Sequence, residues 1–180
     1  SIQFDSVDRC NIYFNQATSG NDLVGYVSYD IIVDTFTVMN PTQFHASPRA
    51  AFTFDILNAK LTQIEDDVYV SPDGDNSNSG LTADDPFKTI YHAMSVIIIN
   101  DSTPRNIYLL DGTFSPSGNG EYFPINFMDN LHITGTADSL VILDAEFSAG
   151  VIRMGYTQNN RISDFTISGG SQSGVYLKNS

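Results

Sequence analysis

The chain has 180 residues, long enough to bury a substantial core, and carries 21 acidic side chains against 8 basic ones for a formal net charge of −13. Affinity for nucleic acid comes largely from Lys and Arg neutralising phosphates, so this balance argues against nucleic acid and anionic membranes as partners and suits Ca2+ or neutral glycans. The longest apolar run, Val96 to Ile99, falls far short of the ~20 residues a membrane-spanning helix needs.

From the first residue onward there is no basic, then apolar, leader, so no signal peptide is expected within this sequence. The start at Ser1 and the end at Ser180 inside a strand-like pattern read as a piece of a longer protein. Cys10 is the single cysteine, which excludes an intrachain disulfide, and no cysteine-enzyme motif surrounds it. Residues 1–67 read as a small β module, or as the end of a preceding solenoid. Ile32, Phe36 and Val38 fall on one side of a strand pattern with Thr35 and Thr37 on the other, and Phe52, Phe54 and Ile56 alternate with Thr53 and Asp55. Turn signals at Ser19-Gly20-Asn21-Asp22, Asn40-Pro41 and Ser47-Pro48 separate these runs. His45, His92 and His132 stand far apart without a second ligand or a Ser/His/Asp grouping, so each is expected to be an ordinary surface or packed histidine.

Residues 68–180 are organised by the stretch from Val68 to Ile90. It begins with a short alternating strand, Val68 and Val70 inward and Tyr69 outward, and enters the loop Asp73-Gly74-Asp75-Asn76-Ser77-Asn78-Ser79-Gly80. Oxygen side chains at every second position, with Asp84 eleven residues after Asp73, suit a hard cation. Asp73, Asp75, Ser77 and Asp84 are therefore the candidate ligands for Ca2+. Asn78 stands where an EF-hand requires Gly and Asp84 replaces its bidentate Glu, so the other reading is a turn whose Asx side chains bond the local backbone. Next, Asp85 is placed to cap a helix with Pro86 in its first turn. Phe87, Ile90, Tyr91, Met94, Ile97 and Ile98 then form one apolar helix face, ending near Asn100 ahead of Pro104.

The remainder repeats itself at an offset of 24: Ile107 matches Leu131, Leu109 matches Ile133, Val141 matches Phe165 and Leu143 matches Ile167. Asn106 matches Asn130, Gly150 matches Gly174 and Val151 matches Val175. Parity is kept within each pair, so the same side chains would point inward on successive coils of a β-solenoid. Arg153 falls opposite Leu177, which demands a one-residue shift of register or a bulge there. A β-sandwich is the structural alternative.

Taken together, Tyr69 to Gly80, Asp84 to Ile90, Ile107 to Ser115, Phe123 to Ile125, Leu131 to Ala137, Val141 to Ala145 and Ile162 to Gly170 resemble the entry segment of proteins of the pectate-lyase-like superfamily. The resemblance implies an all-β, right-handed parallel β-helix over residues 68–180, with an N-terminal capping α-helix and further coils beyond Ser180. It does not fix an activity, because that entry segment is shared by polysaccharide lyases, glycoside hydrolases and surface proteins. The expected role is an extracellular or cell-surface segment that binds a polysaccharide or surface glycan, or serves as scaffold, without a complete active site. The alternative is the N-terminal part of a lyase or hydrolase whose catalytic residues lie in later coils. Outward charges that such chemistry could draw on are Asp144, Glu146, Arg153, Asp164 and Lys178, the first two forming a carboxylate pair if their segment is extended. Tyr108, Tyr122, Tyr156 and Tyr176 are candidates for stacking on sugar rings, against the plainer reading of tyrosines packed on coil flanks.

Overall fold

The computed structural model describes residues 3–17, 20–99 and 103–178, which fall into two compact units, Ser1–Ile64 and Glu65–Ser180. Among these residues no helix is long and apolar enough to cross a membrane.

The first unit contains β1 (Cys10–Ile12), β2 (Leu23–Val24), β3 (Tyr29–Phe36), β4 (Ala46–Ser47) and β5 (Phe52–Ala59). All pairings are parallel, in the orders β1-β3-β5 and β2-β4. Tyr29 lies beside Phe52 and Leu23 beside Ala46, both 23 residues apart, so each circuit returns the chain to the strand it left. Ile31, Val33, Phe36, Ala46 and Phe52 form the core, with Phe54 and Ile56 packed against it. Phe52, Phe54 and Ile56 thus alternate as their pattern demands, but Ile31 and Val33, not Ile32, point inward. Counting back in twos from Phe36 fails because β1 changes register against β3 between Val33 and Thr35. His45 is fully buried, its Nδ1 accepting the Thr42 N–H at 3.2 Å.

The second unit begins with β6 (Val68–Val70) and continues through β7 (Arg105–Leu109), β8 (Gly112–Phe114), β9 (Ile125–Asn126), β10 (Leu131–Gly135), β11 (Val141–Asp144) and β12 (Ile152–Gly155). A last circuit holds β13 (Arg161–Ser163), β14 (Thr166–Ser168) and β15 (Val175–Lys178). The strands stack in parallel into three sheets, β13-β10-β7-β6, β14-β11-β8 and β15-β12-β9, which makes this unit a parallel β-helix. Inward side chains lie over one another from coil to coil: Val68, Ile107 and Ile133 in the first sheet, Phe114 and Leu143 in the second, Ile125 and Ile152 in the third.

The spacing of 24 holds only between β11 and β14, where Leu143 faces Ile167. In the first sheet Ile133 lies beside Ile107, a spacing of 26, so Leu131 faces Arg105 and His132 faces Asn106. An error of two preserves parity, which is why the inward set was still legible. In the third sheet Arg153 faces Tyr176 and Met154 faces Leu177, a spacing of 23: the one-residue shift required at Arg153 is present.

α1 (Ile90–Val96) is shorter than its apolar periodicity predicts. Asp85 does not cap it, because its carboxylate accepts the Ser79 N–H at 3.0 Å and the Ser79 hydroxyl at 2.7 Å. Pro86 and Phe87 stay outside, with Phe87 bridged to Val70 and buried. The cap is Thr89, whose Oγ1 accepts the His92 N–H at 3.1 Å. Glu121 completes the helix start from a distant loop: its carboxylate accepts the N–H groups of Ile90 at 2.7 Å, Tyr91 at 3.0 Å and its own neighbour Tyr122 at 3.2 Å. The helix ends at Val96 because Ile97 is already extended, as suits a run of β-branched residues.

The loop between β6 and α1 occupies the free edge of β6. The Tyr69 N–H donates to the Gly80 carbonyl at 2.7 Å, the Phe87 N–H to the Tyr69 carbonyl at 3.0 Å, and the Ser71 N–H to the Phe87 carbonyl at 2.9 Å. Edge groups that could recruit another strand are thereby satisfied within the unit.

Candidate carbohydrate-binding face

The third sheet of the β-helix gathers cations and aromatic rings on its outer side. Along β12, Ile152 and Met154 turn inward while Arg153 is exposed. Register then sets Tyr176 of β15 beside Arg153, and Lys178 beside Gly155. The Arg153 guanidinium lies 5.8 Å from the centre of the Tyr176 ring, and the Lys178 ammonium 5.3 Å from that of Tyr156. Both separations are within cation–π reach. On the other side of Arg153, β9 contributes Asn126.

Tyr156 is held in place by its backbone. It follows β12 in a left-handed conformation, φ 58°, with its N–H donating to the Lys178 carbonyl at 2.8 Å. That conformation is uncommon for a bulky residue and turns the chain sharply out of the strand, leaving Tyr156 64% exposed. Between these groups lies Gly155, where an added Cβ would meet no atom within 4 Å. The surface over Gly155 is thus open between Arg153, Tyr156 and Lys178.

The electrostatics of this face run against the charge of the whole chain. Among the described residues the one ion pair is Arg9 with Asp55, in the first unit, so neither Arg153 nor Lys178 is neutralised by a paired carboxylate. The Lys178 ammonium is held above its ordinary range chiefly by its hydrogen bond with Tyr156, while the Arg153 charge pulls it down.

The other sequence candidates are dispersed. Tyr108 packs against Tyr69 with ring centres 5.2 Å apart, and Tyr122 against Tyr91 at 5.5 Å, so only two of the four tyrosines share a surface. Asp144 and Glu146 do not form a pair on one strand face. β11 ends at Asp144, Glu146 turns left-handed at φ 49°, its N–H goes to Asp144 Oδ1 at 2.9 Å and its carboxylate takes the Ser117 N–H and hydroxyl. Asp164 is likewise left-handed, at φ 62° in the turn before β14. In the loop after β6, Asp73, Asp75, Ser77 and Asp84 are all exposed. Asp75 Oδ1 accepts both the N–H and the hydroxyl of Ser77 at 2.8 Å, the local turn bonding of an Asx residue. No group of three His, Cys, Asp or Glu side chains placed to hold a metal occurs among the described residues.

Glu121 escaped the sequence reading. It is 3% exposed, and burial pushes its carboxyl up to about 7 against the N–H bonds that pull it down. A lone Glu in a Gly-Asn-Gly-Glu-Tyr turn carries no signal that it will be buried. Its partner, the N-terminus of α1, is thirty residues away.

No curated protein matches the chain, and no solved structure does either. Residues 72–180, spanning the loop, the helix and all the coils from β7 onward, match the model of a family described as proteins of unknown function, DUF1565. With more than half of its length so matched, the chain belongs to the DUF1565 family.

Proposed function

We propose that the protein is an extracellular or cell-surface glycan-binding segment whose β12–β15 face holds an acidic sugar chain. The observation that carries this reading is the pairing of Arg153 with Tyr176 and Lys178 with Tyr156 around the open space at Gly155. Aromatic faces pack on the C–H surface of sugar rings, and unpaired cations favour ligands with carboxylate or sulfate groups. The net charge of −13 favours neutral glycans only when averaged over the whole surface. At physiological salt, charges farther away than ~8 Å are largely screened, so the local cations dominate at the face. Membership of the pectate-lyase-like superfamily belongs to the same reading, supported by the parallel coils and the helix at their start. The binding role is favoured over a lyase or hydrolase because Asp144 and Glu146 are committed to turn and loop hydrogen bonds away from Arg153 and Lys178.

Calorimetric titration with tetragalacturonate, and with xylotetraose as the neutral control, tests this. The acidic ligand should bind, and more weakly as salt rises. Arg153→Ala and Lys178→Ala should each weaken it about ten- to a hundredfold, as expected for one charged hydrogen bond of about 1.5–3 kcal/mol. Equal binding of both ligands, or an unchanged affinity in the doubly substituted protein, would sink the proposal.

Ca2+ at Asp73, Asp75, Ser77 and Asp84 stands as a separate proposal, one that would require the exposed loop to draw these side chains together. Ca2+ at 100 times its dissociation constant should then stabilise the second unit by about 2.7 kcal/mol. Identical melting curves with Ca2+ and with chelator would eliminate it.

A further inference from the structure

Phe14 presents a conformation and an exposure that folding alone does not explain. It is an aromatic residue in the left-handed region, φ 56°, two residues after the end of β1. The residue is 60% exposed, so little burial offsets the strain. Such outliers persist where surrounding structure imposes them, and they cluster at functional sites. The imposing contact is the Phe14 N–H, which donates to Thr37 Oγ1 at 2.9 Å. Tyr13, 40% exposed, stands almost perpendicular to Phe14, with ring centres 5.7 Å apart and planes at 82°. Together they form an aromatic corner open to solvent.

A cation closes this corner. The Lys60 ammonium lies 4.6 Å from the Tyr13 ring centre, and the Lys60 backbone N–H is bonded to the Phe36 carbonyl at 3.1 Å. The parts resemble those of the β12–β15 face: an exposed aromatic on a left-handed residue shortly after a strand, and a lysine over an aromatic ring, here Lys60 reaching from the end of β5, two strands from β1, to Tyr13. The Asp22 carboxylate is turned to Asn15, accepting its N–H at 3.2 Å and its side-chain amide at 3.1 Å.

We infer that Tyr13, Phe14 and Lys60 form a second glycan-binding site, in the first unit, which takes one ring of an acidic sugar chain in the aromatic corner with its charged group toward Lys60. The inference rests on the reading that the protein binds acidic glycans, and it makes the chain bivalent for a repetitive ligand.

The test uses the full chain and tetragalacturonate, followed by calorimetry and by NMR shifts of the Tyr13, Phe14 and Lys60 amides. The unsubstituted protein should show two sites, and Arg153→Ala with Lys178→Ala should leave one, with shifts confined to the corner. Adding Phe14→Gly should weaken that remaining site tenfold or more while the melting temperature holds or rises, because Gly accepts a positive φ without strain. A single site lost entirely with Arg153 and Lys178 would overturn the inference and leave the first face standing. A Phe14→Gly protein that melts lower and binds as before would make Phe14 structural and overturn it as well. Absence of any binding to the unsubstituted protein would remove both readings together.

Discussion

Glu121→Ala will destabilise the second unit by about 2–4 kcal/mol at pH 5, measured by urea unfolding, since it strips the acceptor from three N–H groups in a site closed to water. At that pH the wild-type carboxyl is largely protonated and carries no desolvated charge. Its pKa is raised from 4.5 to about 7, so between those values the folded state holds a proton that the unfolded chain releases. Stability from this group is therefore fully present below about pH 4.5, falls as pH rises, and levels off above about pH 7, by an amount on the order of 3 kcal/mol. Glu121→Gln cannot ionise and should remove that slope. Asp75, Asp85 and Glu146, held low mainly by hydrogen bonds from Ser77, Ser79 and Ser117, contribute the opposite trend at pH values below the ordinary carboxylate range. The two windows are thus separable. A Glu121→Ala loss below about 1 kcal/mol would mean that water replaces the carboxylate.

Gly80→Ala is the second substitution with a large expected effect. Gly80 has φ +70°, and a Cβ there would overlap the Phe87 ring. Phe87 is buried and bridged to Val70, so it has little room to yield. Strain in the left-handed region together with overpacking should cost about 2–4 kcal/mol, lowering the melting temperature of the second unit by roughly 5–15 °C at 2–4 °C per kcal/mol. The pair Gly80→Ala with Phe87→Leu should recover part of this loss by relieving the overlap. A melt unchanged by Gly80→Ala would show that the loop shifts without cost.

What the sequence revealed here follows a physical division. Inward positions were legible because coil stacking enforces parity on Ile107, Ile133, Leu143 and Ile167, and parity survives an error of two in the repeat length. Helix start was misjudged because Asp-Pro is a strong local cap signal, whereas the competing partner of Asp85 is a serine six residues back that local propensity does not weigh. Glu121 was invisible because its role depends on a contact across thirty residues. The cationic face was half visible: Arg153 and Lys178 were noted as outward charges, and Tyr156 and Tyr176 as stacking rings. Only the 23-residue register of the third sheet brings these four together, and net charge pointed away from the ligand they suit. The Tyr13–Phe14 corner depends on a backbone angle that no pattern of residue types announces.

The bonds from Gly80 and Phe87 along β6 also bear on how the protein behaves when concentrated. Growth of an amyloid-like stack needs a strand with idle amides that can template the next one. Along β6 those groups are already engaged, so the polar loop acts as a chain terminator for strand addition to the first sheet. Excising residues 80–87, which carry the partners of β6, should convert that blunt end into a seed and shorten the lag before fibrils form.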